Sequence, residues 1–360
     1  MYIPIMKNRQ EELNVSKRCE PFFSDELIPL FEVLKDDYIS RPKLDEEGNV
    51  VYEIKPGKKK RSKVMDEKRD EDCCTLDNIN SIVNGKKVFI DFFRFFEKEY
   101  GNKKFKNIEL SFKMSRDFRY YIDRILEIKK FENFIPVISI KKGLIISESD
   151  LFNIVQEFQK LNRPLAIRIT DDMLEDYEEF MEEYLTKQDF IMLDIREKDI
   201  NSKKIELMEF KNLDVKGKKI LLNSPRKKSI KNSEFENLKF TNLIDNSAKR
   251  IYKKYGLDGF GDFGGLKDDL PTYGGNGKGA ALSLLYFGDK NKFFAIVNTD
   301  TSLGVRGYQY VKEELNKLRS YIDPKGNCVG IEKAYSFPKG GFKEWNNVNL
   351  SRYIQQQSYN

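Results

Sequence analysis

The chain has 360 residues, of which 34% are charged, and it contains 27 Phe and 18 Tyr. This aromatic content is enough for a large hydrophobic core, which excludes a disordered protein. The 64 basic and 58 acidic residues leave a net charge of only +6, so the chain is not a strong polyelectrolyte. It has no histidine, which excludes Ser-His-Asp triads, histidine metal centres and histidine proton shuttles.

Cysteine usage and hydropathy narrow the class of protein further. The four cysteines show no CxxC spacing, which favours free thiols over a disulfide framework or a zinc site. No apolar run reaches the ~18 residues that span a bilayer. The N-terminus also lacks a signal-peptide pattern. We therefore expect a cytoplasmic protein without a membrane partner, and any metal site would use oxygen ligands, with Mg²⁺ or Mn²⁺ rather than zinc. The sequence has no nucleotide cofactor motif.

Short apolar runs alternate with amphipathic stretches along the first three quarters of the chain. In order the runs are "YIPIMK" (2–7), "LIPLFEVLK" (27–35), "VFIDFF" (88–93), "FIPVISIK" (134–141), "PLAIRIT" (164–170), "FIMLDIR" (190–196), "KILLNS" (219–224) and "LDGFGDF" (257–263). The stretches between them include helical patterns at 147–162, 176–186 and 246–256, the first with Ser147 as N-cap and the last ending at Gly256. Eight strand signals separated by helices predict a (β/α)8 TIM-like barrel within residues 1–272. A doubly wound open sheet is the alternative, because local pattern does not show closure.

Two regions fall outside this repeat. A polar insertion, roughly 38–86, follows the second strand and contains "KPGKKKRSK" (55–63), in which six of nine residues are basic. We interpret it as a solvated loop, because "DEKRDED" follows and largely cancels its charge; phosphate binding is the alternative. Residues 273–360 are expected to form an appendage packed on the barrel. It would contain a hairpin (280–300), a helix (308–322) and a tail with Trp345, the only tryptophan.

Strand alternation predicts a ring of polar side chains inside the barrel. In 190–196 the residues Ile191, Leu193 and Ile195 suit the helix-facing side, which directs Asp194 and Arg196 inward. The same reasoning directs one set of residues from the other strands inward: Lys7, Glu32, Asp91, Ser139, Lys141, Arg168, Thr170, Asn223 and Asp262. Because the carboxyl ends of barrel strands meet at one face, these groups are expected to converge where active sites of this fold lie.

Two loops at that face suggest a ligand. Asp262 lies in "GFGDFGG", and Gly264 and Gly265 are expected to keep the backbone low so that a ligand or metal can approach the acid. The loop "NSPRKKS" (223–229) follows the seventh strand, where such barrels often hold phosphate, and Arg226 would suit an anion. A self-compensating ion network is the structural alternative. Burying charges has a desolvation cost, so a purely structural role explains the ring less well than a pocket does.

Two classes of function follow from the ring. In the first, the chain is a carboxylate- and Mg²⁺-dependent enzyme acting on a phosphorylated or nucleotide-like substrate. Its catalytic acids would be Asp262, Asp194, Asp91 and Glu32, and Asp262 and Asp194 would hold the metal. The ligand-binding residues would be Lys7, Lys141, Arg168, Arg196, Asn223, Arg226, Gly264 and Gly265. In the second class, the chain is a non-catalytic sensor or inhibitor that binds another protein through the barrel rim and appendage. One-to-one pairing of acids with bases would favour the second class.

Several segments resemble a known family. "YIPIMKNRQEE" (2–12), "LIPLFEVLK", "GFGDFGG" and the tail "GGFKEW" are similar to the beta proteins of phages, prophages and bacterial defence-associated loci. The resemblance runs in patches over most of the chain except 38–86. It implies a role in conflict between phage and host, with a protein partner from the same locus or from the phage or host. Nucleic acid is a weaker alternative partner. The family supplies no catalytic residue set.

Overall fold

Eight parallel strands close into a barrel in the computed structural model, which describes residues 1–57, 59–95, 108–269 and 279–359. The barrel strands are β1 (Tyr2–Lys7), β2 (Leu30–Glu32), β5 (Val88–Asp91), β6 (Phe134–Ile140), β7 (Ala166–Thr170), β8 (Phe190–Asp194), β9 (Lys218–Asn223) and β11 (Gly259–Asp262). They pair in chain order, and β1 closes the barrel between β2 and β11. The predicted eight-stranded parallel barrel is confirmed, and the open-sheet alternative is wrong.

Helices connect the barrel strands, as the amphipathic stretches predicted. Those of the barrel region are α1 (Gln10–Cys19), α2 (Thr75–Val83), α3 (Glu109–Arg116), α4 (Phe118–Glu127), α5 (Glu148–Gln159), α6 (Glu178–Tyr184), α7 (Lys204–Asn212) and α8 (Ser247–Ile251). Helix α5 begins where its N-cap predicts, because the Ser147 hydroxyl accepts a hydrogen bond from the Asp150 amide at 3.2 Å. After α8 and a short 3₁₀ turn, the chain leaves the helix at Gly256 with φ of +67°. No helix in the described part of the chain is long and apolar enough to cross a membrane.

The two faces of the barrel wall have different cores. Side chains that point outward pack beneath the helices in the largest apolar cluster, which includes Phe31, Ile138 and Leu193. Side chains that point inward form a separate apolar plug around Phe89, Phe190 and others of the same layer. The two sets alternate along each strand, as the pleat requires.

The predicted insertion divides into two structurally different parts. Strands β3 (Tyr52–Glu53) and β4 (Ser62–Lys63) form a small antiparallel ribbon whose connection carries the basic run. Residue 58 of that run lies outside the described residues. In contrast, α2 buries Ile79 and Val83 in the main core and packs against α1. The second part therefore contributes a core helix.

A three-stranded antiparallel sheet lies beside the barrel. Its strands are β10 (Lys239–Thr241), β12 (Ala281–Phe287) and β13 (Lys292–Asn298), with β13 in the centre. Four helices follow: α9 (Tyr308–Lys317), α10 (Arg319–Ile322), α11 (Val329–Tyr335) and α12 (Phe342–Gln357). Helix α12 is buried along most of its length and packs against α1 and β12. The predicted boundary at 272 lies in a segment, 270–278, outside the described residues.

Candidate functional site

The upper layer of the barrel interior is charged, and Arg168 lies in its middle. The Arg168 side chain is only 2% exposed. Its Nη1 donates to Glu32 and to Asp91, each at 2.9 Å, and its Nη2 donates to Asp194 at 2.7 Å. Burial alone would lower the pKa of Arg168, but the carboxylates of Asp194, Glu32 and Asp91 raise it well above its ordinary value. One guanidinium therefore compensates acids from β2, β5 and β8.

Asp268 adds a fourth acid to this layer. It accepts from Lys7 Nζ at 2.9 Å, and its other oxygen lies 2.7 Å from Nη2 of Arg196. Lys7 also lies 3.1 Å from Glu32. Burial opposes ionisation of Asp268, but Arg196 and Lys7 hold its pKa well below the ordinary range. We call the connected set the ion network; its members are Lys7, Glu32, Asp91, Arg168, Asp194, Arg196 and Asp268.

The acids of the ion network differ in how readily they ionise. Burial opposes ionisation of Asp194, but Arg168 and Arg196 lower its pKa below the ordinary value. Asp91 is fully buried, and burial raises its pKa to about 6 despite Arg168 and a 2.7 Å hydrogen bond donated by Ser139. Of Asp91, Asp194 and Asp268, Asp91 therefore ionises least readily.

Arg196 owes its position to the turn that ends β8. Its amide donates to Oδ1 of Asp194 at 3.0 Å, and its backbone adopts a left-handed conformation with φ of +53°. Aspartate side chains commonly stabilise such turns. The turn brings the guanidinium back over the barrel, where it lies 5.1 Å from the ring centre of Phe93. Arg168 and Lys141 also lie over this ring, at 4.7 and 5.0 Å.

A pocket of about 250 Å³ lies above the ion network, at the carboxyl ends of β6, β7 and β8. Phe93, Ser139 and Thr170 form part of its wall. Its charged lining comprises five basic residues and three acidic ones: Lys141, Lys142, Arg168, Arg196, Lys198, Asp171, Asp172 and Asp194. We call it the barrel-mouth pocket. Among the described residues, its rim carries more positive than negative charge, so its chemistry suits an anion.

Asp262 lies outside this pocket. The prediction that Asp262 faces the barrel interior, where a ligand or metal could approach it, is therefore wrong. Its carboxylate accepts from Tyr2 at 3.1 Å and from Tyr353 of α12 at 2.7 Å. Both tyrosines belong to the outward-facing core. The inward positions of β11 are Gly259 and Gly261. A side chain at either would collide with neighbouring strands, so the small residues face inward and the acid faces α12.

The glycines after Asp262 have a packing role. Gly264 has φ of +61°, and its amide donates to Asp262 at 2.8 Å. A Cβ at Gly264 would lie 3.1 Å from side-chain atoms of Leu350 and Tyr353, and one at Gly265 would lie 2.9 Å from Phe293. The space that these glycines leave is therefore filled by α12 and β13. It does not form the approach for a ligand that the sequence predicted.

Two further predicted ligand residues also face away from the pocket. Asn223 is buried and pairs in register with Asp262, on the outward side of the wall. Arg226 is buried and donates to the Gly265 carbonyl at 3.3 Å and to Asn232 at 2.8 Å. Burial lowers the pKa of Arg226 to about 10. The loop that was expected to bind phosphate instead uses Arg226 to hold together two segments, one after β9 at Asn232 and one after β11 at Gly265.

Six of the residues predicted from alternation do meet at one end of the barrel: Lys7, Glu32, Asp91, Arg168, Asp194 and Arg196. Lys141 lies beside them at the pocket rim. Sequence reasoning missed Asp268, Phe93 and the rim residues Lys142 and Lys198. Lys142 directly follows the predicted strand 134–141, and this position was the available signal, whereas the "DD" at 268–269 lies in the loop beyond the last predicted strand.

The two carboxylates predicted to share a metal lie on opposite sides of the barrel wall. Asp194 faces Arg168 inside, whereas Asp262 faces Tyr353 outside. Over the positions that the structure describes, no three acidic or cysteine side chains are grouped as ligands for a metal ion. A metal ion could bind both carboxylates only if one of the two side chains moved to the other side of the barrel wall.

Comparison with known proteins supplies the family. The family profile described as Beta protein matches residues 2–358. The chain belongs to the beta protein family. The matched range includes all eight barrel strands, the ion network and all of α12, so these features of the beta protein lie within the region that the family profile covers. No curated protein and no solved structure matches the chain significantly.

Proposed function

We propose that this beta protein is a recognition module whose barrel-mouth pocket binds a small phosphorylated compound. One observation carries the proposal: five basic side chains from the ends of three adjacent strands line one pocket. Phosphate groups are bound in proteins by such convergent Lys and Arg donors. The volume of about 250 Å³ suits a small anion, because pockets for drug-sized ligands start at about 300 Å³.

Part of the positive charge at the rim is accessible to a ligand. Lys142 is exposed, and within the described residues no carboxylate lies within ion-pair distance of it. Lys198 contacts Asp171 at 2.6 Å, and Asp171 also binds Lys203. Arg196 is 24% exposed at its side chain, so its guanidinium is accessible from the pocket. A phosphate would therefore meet Lys142 and Arg196 first.

The pairing within the ion network favours recognition over carboxylate catalysis. Each of its four acids lies within 3.1 Å of a Lys or Arg nitrogen. A metal or a general base needs a carboxylate whose oxygens are available, and each of these acids has at least one oxygen committed to a guanidinium or ammonium group. A requirement for Mg²⁺ or Mn²⁺ stays a prediction of the sequence, and the titration described next includes it.

Isothermal titration calorimetry of the full chain with ribose 5-phosphate, inorganic phosphate and ribose tests the proposal. We expect binding of both phosphates and none of ribose, with affinity reduced at least tenfold in Lys142→Gln. Lys187→Gln is the matched control, because Lys187 is also exposed but precedes β8 at the opposite end of the barrel. Repeating the titration with Mg²⁺ shows whether a metal contributes. Equal affinity in both variants, or no phosphate binding by the folded protein, would contradict the proposal.

We further propose that this recognition operates in conflict between phage and bacterium, in the cytoplasm and with a protein partner from the same locus or from the phage or host. This setting is what the resemblance to the beta proteins of phages, prophages and defence-associated loci implies, and the profile match shows only membership of the family. The test is the plating efficiency of a phage panel on bacteria expressing the wild type, Lys142→Gln or Lys187→Gln. Protection or sensitisation by the wild type and Lys187→Gln, lost in Lys142→Gln, would link the pocket to the setting. Identical plating on all strains and on the empty host would contradict it.

A further inference from the structure

A second pocket, of about 410 Å³, lies outside the barrel. Its walls come from the turn between β12 and β13, the segment from Tyr321 to Cys328, and the last turns of α12. We call it the distal pocket. It shares no lining residue with the barrel-mouth pocket. Its volume falls within the range of about 300–1,000 Å³ that is typical of sites for small organic ligands.

Arg352 in the wall of the distal pocket is a buried charge without a carboxylate partner. Its side chain is 3% exposed. Nε donates to the Tyr286 carbonyl at 2.9 Å, and Nη1 lies 3.4 Å from the Cys328 sulfur. Within the described residues, no acidic side chain lies within ion-pair distance of it. Arg168, by contrast, has three such partners. A guanidinium has five N–H donors, so donors remain for an anion.

Two acids line the distal pocket: Asp289 is exposed at the rim, and Asp323 is hydrogen-bonded to the backbone. Asp323 accepts from the amides of Asn327 and Cys328, both at 3.2 Å. It therefore orders the segment before α11 rather than neutralising Arg352. Two further cations, Lys290 and Lys325, are exposed at the rim. A buried Arg with two Lys at the rim provides the donors that a phosphate monoester requires.

Aromatic and amide groups form the rest of the distal pocket. The ring of Tyr321 packs 5.4 Å from Phe287 and is 47% exposed. Tyr359 is 59% exposed, and Gln355 fixes it by donating to its hydroxyl at 2.7 Å. Exposed tyrosine faces are stacking surfaces for nucleobases. The amide of Asn327 can hydrogen-bond to a base edge.

We propose that the distal pocket binds a mononucleotide. The base stacks on Tyr321, and the phosphate pairs with Arg352 and Lys325. This assignment rests on a buried guanidinium lacking an acid, two exposed rings and a volume large enough for a nucleoside, none of which belongs to the barrel-mouth pocket. It therefore stands independently of the function proposed for the barrel.

Calorimetric titration of the full chain with AMP and GMP tests this site, with adenosine and inorganic phosphate as partial ligands. We expect one-to-one binding of at least one mononucleotide, and binding at least tenfold weaker for adenosine and for phosphate. Tyr321→Ala should reduce affinity at least tenfold. Tyr52→Ala is the matched control, since Tyr52 is 51% exposed on the β3–β4 ribbon. Lys142→Gln should leave mononucleotide affinity unchanged, which separates this site from the barrel-mouth pocket.

Arg352→Gln retains a donor for the Tyr286 carbonyl and should abolish the preference for AMP over adenosine. Should that variant fail to fold, Lys325→Glu replaces it, because Lys325 is exposed and its reversal repels the phosphate. The absence of mononucleotide binding by the folded wild type would overturn the proposal. So would affinity that survives both Tyr321→Ala and the charge variant, or that falls in Lys142→Gln instead.

Discussion

Arg168 and Asp194 form a 2.7 Å ion pair in which neither side chain is more than 3% exposed. Because the same guanidinium also serves Glu32 and Asp91, its removal would leave three buried acids without their main partner. Breaking a buried pair in this way costs about 3–5 kcal/mol. We therefore expect Arg168→Met to lower the free energy of unfolding by at least about 3 kcal/mol. Urea denaturation measures it, with Lys142→Met as the exposed control, expected within about 0.5 kcal/mol of the wild type. Similar values for the two variants would show that Arg168 is dispensable for the barrel.

Asp262 gives the protein a specific pH dependence. Burial raises the pKa of Asp262 to about 6, whereas an aspartate in an unfolded chain titrates near about 4. The folded protein therefore holds this proton more tightly, so the contribution to stability is complete below pH 4 and declines as the pH rises to about 6. The decline amounts to up to about 3 kcal/mol, since one pKa unit corresponds to about 1.4 kcal/mol.

Asn at position 262 cannot titrate, so Asp262→Asn should lack this decline. Urea denaturation of both proteins at pH 4.5 and pH 7 measures it. We expect the variant to be destabilised at pH 4.5 and to regain stability relative to the wild type at pH 7. Asp91 titrates in the same range but is present in both proteins, so its effect cancels. Parallel pH profiles would mean that the Asp262 carboxyl ionises normally.

Gly264 should be intolerant of any side chain. Its left-handed backbone disfavours L-residues, and a Cβ would press on Leu350 and Tyr353 at 3.1 Å. We expect Gly264→Ala to cost about 1–3 kcal/mol, the range of a strained backbone position. Gly48→Ala provides a control for the backbone effect alone, because Gly48 has φ of +84° with open space around it. A larger loss at Gly264 than at Gly48, measured by thermal unfolding, would show that α12 fills the space above β11.

The two parts of the segment at 38–86 should respond differently to mutation. Replacing the connection between β3 and β4 with a short Gly-Ser turn should change the melting temperature by no more than a few degrees, since both strands are exposed at Tyr52, Glu53 and Lys63. Ile79→Ala should cost about 2–4 kcal/mol, because Ile79 is 1% exposed in the main core. The opposite ranking in thermal melts would assign the structural role to the ribbon.

The barrel was predictable because its strands are short apolar runs at regular spacing. For most strands, the alternation of apolar and polar residues also predicted which side chains point into the barrel. In β8 the outward set Ile191 and Leu193 is bulky and apolar, so the inward position of Asp194 follows directly. In β11 the same rule failed. The sequence has Gly259 and Gly261 on one side of the strand and Phe260 and Asp262 on the other, and the prediction that Asp262 faces inward assigned the two sides the wrong way round.

The reason for that failure is not local. Whether Gly261 faces inward depends on Leu222 and Ile3 of the neighbouring strands, whose side chains and backbone fill the space there. The partner of Asp262, Tyr353, lies 91 positions further along the chain. Asp268 was missed for a related reason: it joins the network from a loop, where strand alternation makes no prediction.

Closure of the barrel by β1 has a consequence for how the protein is made. The register pairs Tyr2 with Phe260, and Cys19 of α1 contacts the Ser351 carbonyl of α12. During synthesis, β1 and α1 therefore lack their partners β11 and α12 until hundreds of further residues have left the ribosome. Contacts between such distant segments slow folding, and their absence exposes apolar edges to aggregation. We expect nascent chains that end before β11 to depend on chaperones, and α1 to complete its packing only once α12 has left the ribosome.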